Sequence, residues 1–109
     1  GDFMLGANEM RTNMVIPTPI LELIKFRVNE SHKYRAVLGA EMYTLEKAQE
    51  AGLIDEVVIA KDLMKAALEK AKDLETMGHP SYTITKELFI AEPMSKINKA
   101  MKEYKNNGQ

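Results

Sequence analysis

From Asp62 onward the sequence is written in helical periodicity, and this constrains the fold more than any other feature. Asp62 stands as a candidate N-cap, and behind it Leu63, Met64, Ala66, Ala67, Leu68, Ala71 and Leu74 recur at the spacing of one helical face. Gly78-His79-Pro80 interrupts the pattern. A second helix is expected from about Pro80 to Ile90, carrying Tyr82, Ile84, Leu88 and Phe89. A third is expected from Pro93, because proline suits a first helical turn, with the apolar stripe Met94, Ile97, Met101 and Tyr104. The tail from Asn106 to Gln109 is expected to fray. The chain is therefore α-rich, with room for one or two strands.

The preceding residues are punctuated more densely. From Glu9 to Ile16 the chain alternates loosely, Met10, Thr12, Met14 and Ile16 against Glu9, Arg11, Asn13 and Val15, which predicts an extended segment. Pro17 and Pro19 close it. The helix that follows carries Ile20, Leu21, Leu23, Ile24, Phe26 and Val28, apolar over more than half its circumference, and is expected to be mostly buried. Ser31 is a candidate N-cap for a helix through Ala36, Val37 and Leu38, with Gly39 ending it in the left-handed conformation. Glu41-Met42-Tyr43 is a short link. Thr44 is a second N-cap, Glu46 favours the first turn, and Gly52 is the stop. Leu53 to Val58, with β-branched residues at its end, reads as a strand.

Composition narrows the function classes. A chain of 109 residues, 45% hydrophobic, fits one soluble domain at most. With 15 basic against 16 acidic residues there is no excess of positive charge for counterion-release binding, so nucleic acid is not an expected partner. No apolar run approaches the roughly 20 residues that span a bilayer, and no signal-peptide pattern opens the chain, so the expected location is intracellular, cytoplasm or organellar matrix, without secretion or membrane insertion. The absence of cysteine removes disulfides, thiolate metal sites and cysteine nucleophiles, and two histidines far apart, His32 and His79, make a poor metal site. Carboxylates, lysines, tyrosines and backbone amides are left for chemistry. The opening Gly1-Asp2-Phe3, with no methionine first, is expected of a fragment or a processed product.

The order and spelling of several short segments go further. Gly6-Ala7-Asn8-Glu9-Met10 is followed by Ile16-Pro17, a helix, Arg35-Ala36-Val37-Leu38, Glu41-Met42-Tyr43 and the run Ala48-Gln49-Glu50-Ala51-Gly52-Leu53-Ile54-Asp55-Glu56-Val57-Val58. This string resembles the C-terminal half of the crotonase (enoyl-CoA hydratase/isomerase) family, closest in its Asn-Glu spelling to delta-3, delta-2-enoyl-CoA isomerase-like members. The resemblance runs from residue 1 to about residue 104, and family members are about twice this length. It implies an α/β fold of which this chain is the C-terminal part: residues 1–59 as the remaining part of a ββα spiral core, and residues 60–109 as C-terminal oligomerisation helices that assemble a trimer or hexamer. It also implies a separate or upstream N-terminal half.

In that family the acyl-CoA thioester carbonyl sits between two backbone N–H groups, whose preorganised dipoles stabilise an enolate, while carboxylates move the protons. The proton carrier must take and return a proton near neutral pH, and a carboxyl in an apolar pocket meets that condition. By the resemblance Glu9 is the catalytic residue, with Asn8, Ile16 and Pro17 as substrate-binding neighbours. No tightly bound cofactor is implied, coenzyme A entering as part of the substrate. Isomerisation needs one shuttling carboxylate, and hydration a further one that would lie upstream of Gly1, as would the oxyanion amides. Where many hydratases place a Gly-rich turn after the proline, this chain has Pro17-Thr18-Pro19-Ile20, which implies a different acyl pocket.

Plainer readings stand beside these. Without the resemblance Glu9 is a solvated carboxylate or an ion-pair partner of Arg11 or Lys25. Lys86 and the last-helix lysines Lys96, Lys99, Lys102 and Lys105 read as a solvated face rather than a contact for CoA phosphate. The eight methionines fill irregular core gaps as readily as they line a tunnel. Asp55 and Glu56, adjacent on a strand, would point to opposite faces. The whole chain can be read as a non-catalytic, crotonase-derived oligomerisation module.

Overall fold

The computed structural model describes residues 3–107, and its elements run β1 (Met4–Leu5), α1 (Thr18–Arg27), α2 (Lys33–Val37), β2 (Tyr43–Thr44), α3 (Leu45–Ala51), α4 (Leu63–Glu75) and α5 (Pro80–Asn107). Short 3-10 turns stand at Glu9–Arg11, Glu30–His32 and Ala60–Asp62. The strands β1 and β2 pair antiparallel, Met4 opposite Thr44 and Leu5 opposite Tyr43. The chain divides into two compact units, Gly1–Val57 with Pro93–Gln109, and Val58–Glu92.

In the first unit α3 forms as its residues dictate. The Thr44 hydroxyl accepts the Lys47 amide at 3.3 Å, and Glu46 lies in the first turn. At the other end Gly52 takes φ 89°, its amide reaches the Gln49 carbonyl at 3.2 Å, and the Leu53 amide reaches that of Ala48 at 2.9 Å. These are the paired bonds of a Schellman ending, which needs a left-handed residue at that position. A Cβ on Gly52 would also lie 2.9 Å from the Arg27 carbonyl oxygen, so the glycine admits the end of α1. Asn29 closes this junction, its amide bonding the Ala51 carbonyl at 2.8 Å and its side chain donating to the Glu50 carbonyl at 2.5 Å.

The core that results is small. Val28, Ala36, Tyr43, Ala48 and Ala51 are buried, with Ile24, Leu53 and Ile54 packed against them. Tyr43 is the only large residue among the fully buried side chains described, and its hydroxyl meets His32 Nδ1 at 3.1 Å. Its phenol is held above its ordinary value near 10.0, first by burial and then by the charge and hydrogen bond of Glu41, with Arg35 opposing.

Several sequence expectations give way here. The segment from Glu9 is not extended: Thr12 and Met14 both donate to the Glu9 carbonyl, at 3.1 and 2.9 Å, and Asn13 is left-handed at φ 56°. Local side-chain-to-backbone bonding of Thr12 to the same carbonyl at 3.2 Å favours a turn over an alternating strand. Ser31 lies inside the turn Glu30–His32 and caps nothing. Ala40, not Gly39, takes the left-handed conformation, at φ 48°. Leu53 to Val58 forms no strand, because no described segment offers it a ladder. Helix α1 is in place with Pro19 in its first turn, yet Ile20, Leu23 and Phe26 are exposed rather than buried.

In the unit Val58–Glu92, α4 begins behind Asp62 as expected, although the Asp62 side chain makes no capping bond. No residue of α4 is buried. The break at residues 78–79 is real, but only one helix follows it: α5 runs through Pro93 to Asn107. Proline in a helix removes a single backbone bond, and the flanking turns, rich in good helix formers, carry the helix across it. Asn106 and Asn107 are helical rather than frayed, and the rest of the expected tail lies outside the described residues. In the first unit, Ala100 of α5 is buried, while Met94, Met101 and Tyr104 stay exposed. Among the described residues no helix is long and apolar enough to cross a membrane.

Candidate active site

Glu9 opens the 3-10 turn Glu9–Arg11 and lines a cavity of about 300 Å³ in the first unit. The rest of the lining comes from three places: Leu5, Gly6 and Ala7 leaving β1, Ile20 and Ile24 on α1, and Leu53 and Ile54 after α3. Helical spacing sets Ile20 and Ile24 on one face of α1, and the Schellman ending of α3 turns Leu53 and Ile54 back toward them. Ile24, Leu53 and Ile54 also rest on the buried core, so the apolar wall is braced from behind.

One carboxylate oxygen faces this apolar setting without help. Glu9 Oε2 is shielded from solvent and has no hydrogen-bond partner, the one buried side-chain polar atom so placed among those described. Buried polar groups are nearly always bonded, so an orphaned carboxyl oxygen requires an explanation, and a group kept free for proton transfer supplies one. Neither Arg11 nor Lys25 forms an ion pair with it: Arg11 reaches the carbonyls of Ala40 and Gly39, at 3.4 and 3.5 Å, and Lys25 pairs with Glu22 at 3.4 Å.

The other residues singled out from sequence do not line the cavity. Asn8 is exposed, and its carbonyl accepts the Arg11 amide at 2.9 Å. Ile16 is buried in the core, and Pro17 is the N-cap residue of α1, half-buried. Leu5, Gly6, Ile20, Ile24, Leu53 and Ile54 were not recognisable from sequence as a wall. The apolar character of the last four was visible, but nothing local tells that they converge on Glu9. Asp55, adjacent to this wall, is taken up in an ion pair with Arg27.

A larger hollow, about 550 Å³, lies in the unit Val58–Glu92 between Met77, Tyr82, Lys86 and Phe89, with His79, Ser81 and Thr85. It holds no carboxylate and none of the predicted site residues. Among the described residues no cluster of three or more His, Asp or Glu side chains is arranged to hold a metal ion.

Comparison with known proteins bears on this geometry. No family model matches the sequence, and no curated protein does. Solved structures do. An enoyl-CoA hydratase/isomerase family protein from Pseudomonas syringae superposes with TM-score 0.87 at 29% identity, over 98% of this chain and 46% of the other. The chain has the fold of the C-terminal portion of these crotonase-type structures. An enoyl-CoA hydratase from Mycobacterium marinum matches with TM-score 0.86 at 26% identity, over 96% of this chain and 47% of its own. An enoyl-CoA isomerase from Mycobacterium tuberculosis also gives 0.86 at 26%, over 96% and 46%. The chain thus spans about half the length of the crotonase structures it matches, and relatives named as hydratase and as isomerase fit it equally well.

Proposed function

We propose that this chain contributes the C-terminal half of an acyl-CoA-processing site of the crotonase type, with Glu9 as the proton carrier. The observation that carries the reading is the unpartnered, shielded Glu9 Oε2 at the wall of an apolar cavity. The likeness to enoyl-CoA hydratase and isomerase structures supports the reaction class.

In isomerisation of a 3-enoyl-CoA the carboxylate takes a proton from the carbon next to the thioester. The C–H electron pair moves toward the carbonyl oxygen, where two backbone N–H groups stabilise the dienolate. The same carboxyl then returns the proton two carbons further along, and the double bond comes into conjugation with the thioester. One carboxyl suffices for that cycle, and Glu9 is the one carboxyl in the cavity. The oxyanion donors belong to the half of the fold that this chain does not span. Ile20, Ile24, Leu53 and Ile54 form a wall suited to an acyl chain. A homo-trimer or hexamer built through the C-terminal helices completes the proposal.

The test is double-bond isomerisation of a 3-enoyl-CoA by natively purified protein, together with any subunit that accompanies it. Glu9→Gln is expected to lower kcat by roughly 100- to 10,000-fold, the usual range for a positioned acid–base group, while KM stays close to the unsubstituted value. Full turnover by the Glu9→Gln variant overturns the assignment. A second reading, a non-catalytic assembly module, is favoured by the exposed apolar residues of α4 and α5, and it is the one to adopt if the unsubstituted protein binds acyl-CoA or its partner without turning over any enoyl-CoA.

A further inference from the structure

We propose that Arg11 is the positioning residue for Glu9, tying the turn that carries the carboxylate to the corner Gly39–Ala40. The inference rests on the reading of Glu9 as proton carrier. A lone 3-10 turn is a weak element, and this one has no side-chain cap. Its internal bonds, from Arg11 to the Asn8 carbonyl and from Thr12 and Met14 to that of Glu9, shape the turn but do not aim it. Aim has to come from elsewhere in the fold.

Two contacts supply it, and both end on the same short segment. The Arg11 Nε reaches the Ala40 carbonyl at 3.4 Å and Nη2 reaches the Gly39 carbonyl at 3.5 Å, across nearly thirty residues of sequence. Ala40 is buried and left-handed, so the chain bends there and brings two consecutive carbonyls within reach of one guanidinium. On the upstream side Gly6 is pressed against the continuation of that segment: a Cβ there would stand 2.6 Å from Met42 Sδ and 2.7 Å from the Glu41 carbonyl oxygen. Glu9 is thus held between a close approach at Gly6 and a charged clamp at Arg11. The planar, multi-donor guanidinium can address both carbonyls, whereas an ammonium offers one point charge. Arg11 does not line the cavity, so its loss leaves the substrate wall intact.

The experiment compares Arg11→Ala, Arg11→Lys, Glu9→Gln and the double variant Glu9→Gln/Arg11→Ala in the same isomerase assay. Arg11→Ala is expected to lower kcat about 10- to 100-fold, the size of a small misplacement of a reacting group, with KM within twofold. Arg11→Lys should recover part of the loss, and adding Arg11→Ala to Glu9→Gln should cost nothing more, because Arg11 acts through Glu9. An unchanged kcat in Arg11→Ala, or an equal loss when Arg11→Ala is added to Glu9→Gln, overturns the proposal while leaving Glu9 as proton carrier. Full turnover by Glu9→Gln instead removes the underlying reading, and this proposal with it. A readout independent of turnover is amide hydrogen exchange. Protection of Thr12 and Met14 should fall about tenfold in Arg11→Ala while the amides of α3 are unmoved, and unchanged protection at both residues overturns the clamp.

Discussion

Single residues in this chain carry roles that their neighbours in sequence could not assign them. Gly52 must be left-handed to end α3, and it must also be small, because the Arg27 carbonyl lies where a Cβ would go. Gly52→Ala is therefore expected to destabilise the fold by about 2 kcal/mol or more, a strained φ added to a backbone clash, read as a lowered urea midpoint. An unchanged midpoint would contradict the Schellman geometry. Tyr43 makes a different prediction. Its phenol is held above the ordinary value near 10.0 in the folded chain, so below that pH both states keep the proton and stability is unaffected. As pH rises beyond it, the unfolded tyrosine ionises first, the folded state binds more protons than the unfolded, and stability falls. Tyr43→Phe should flatten this alkaline loss, at a cost of about 1 kcal/mol at neutral pH for the bond to His32. A loss above about pH 10 that is just as steep in the Phe variant would assign it to other groups.

The elements differ in how far local rules account for them. Helix α3 is local throughout, and Thr44→Ala should lower stability by about 0.5–1 kcal/mol through loss of the Lys47 cap bond, checked by thermal unfolding. Helix α5 is the opposite case. Pro93 reads as a beginning, yet the helix passes through it, and the division between the two compact units falls at the same residue. Pro93→Ala should restore the missing bond to the Phe89 carbonyl and raise both helicity and Tm. If neither rises, the proline is not a weak point in the helix. The turn at Glu9 went the other way: its residues alternate well enough for a strand, but Thr12 and Asn13 bond and bend locally, and the turn won. Such competition is decided by small differences in local bonding and cannot be read from periodicity.

At the scale of the whole molecule the distribution of apolar surface is the dominant fact. Helix α4 buries none of its residues, and Leu63, Met64, Leu88 and Phe89 stand at 62%, 70%, 75% and 75% exposure. In the first unit Phe3, Val15, Ile20 and Leu23 are also exposed beside a core made largely of alanines. Soluble monomers rarely leave so many large apolar side chains in water. The isolated chain is therefore expected to self-associate or to bind a complementary half, and sedimentation velocity should show species heavier than the 12.3 kDa monomer. A stable monomer across the micromolar range would mean that these faces need no cover.

What the sequence determined alone is what short-range chemistry decides: the helix behind Thr44 and its glycine stop, the start of α1 at the two prolines, the break at residues 78–79, and the spelling around Asn8-Glu9 by which the crotonase resemblance was legible. Each structural feature among these depends on groups close to one another along the chain. The tertiary structure decided the rest. Leu5, Ile20, Ile24, Leu53 and Ile54 become one wall around Glu9 only when β1, α1 and the end of α3 converge. Whether Leu53 to Val58 is a strand depends on a partner to bond, and the exposure of α1 depends on what lies against it. Burial and pairing are properties of two surfaces, and the sequence of one segment specifies only the first.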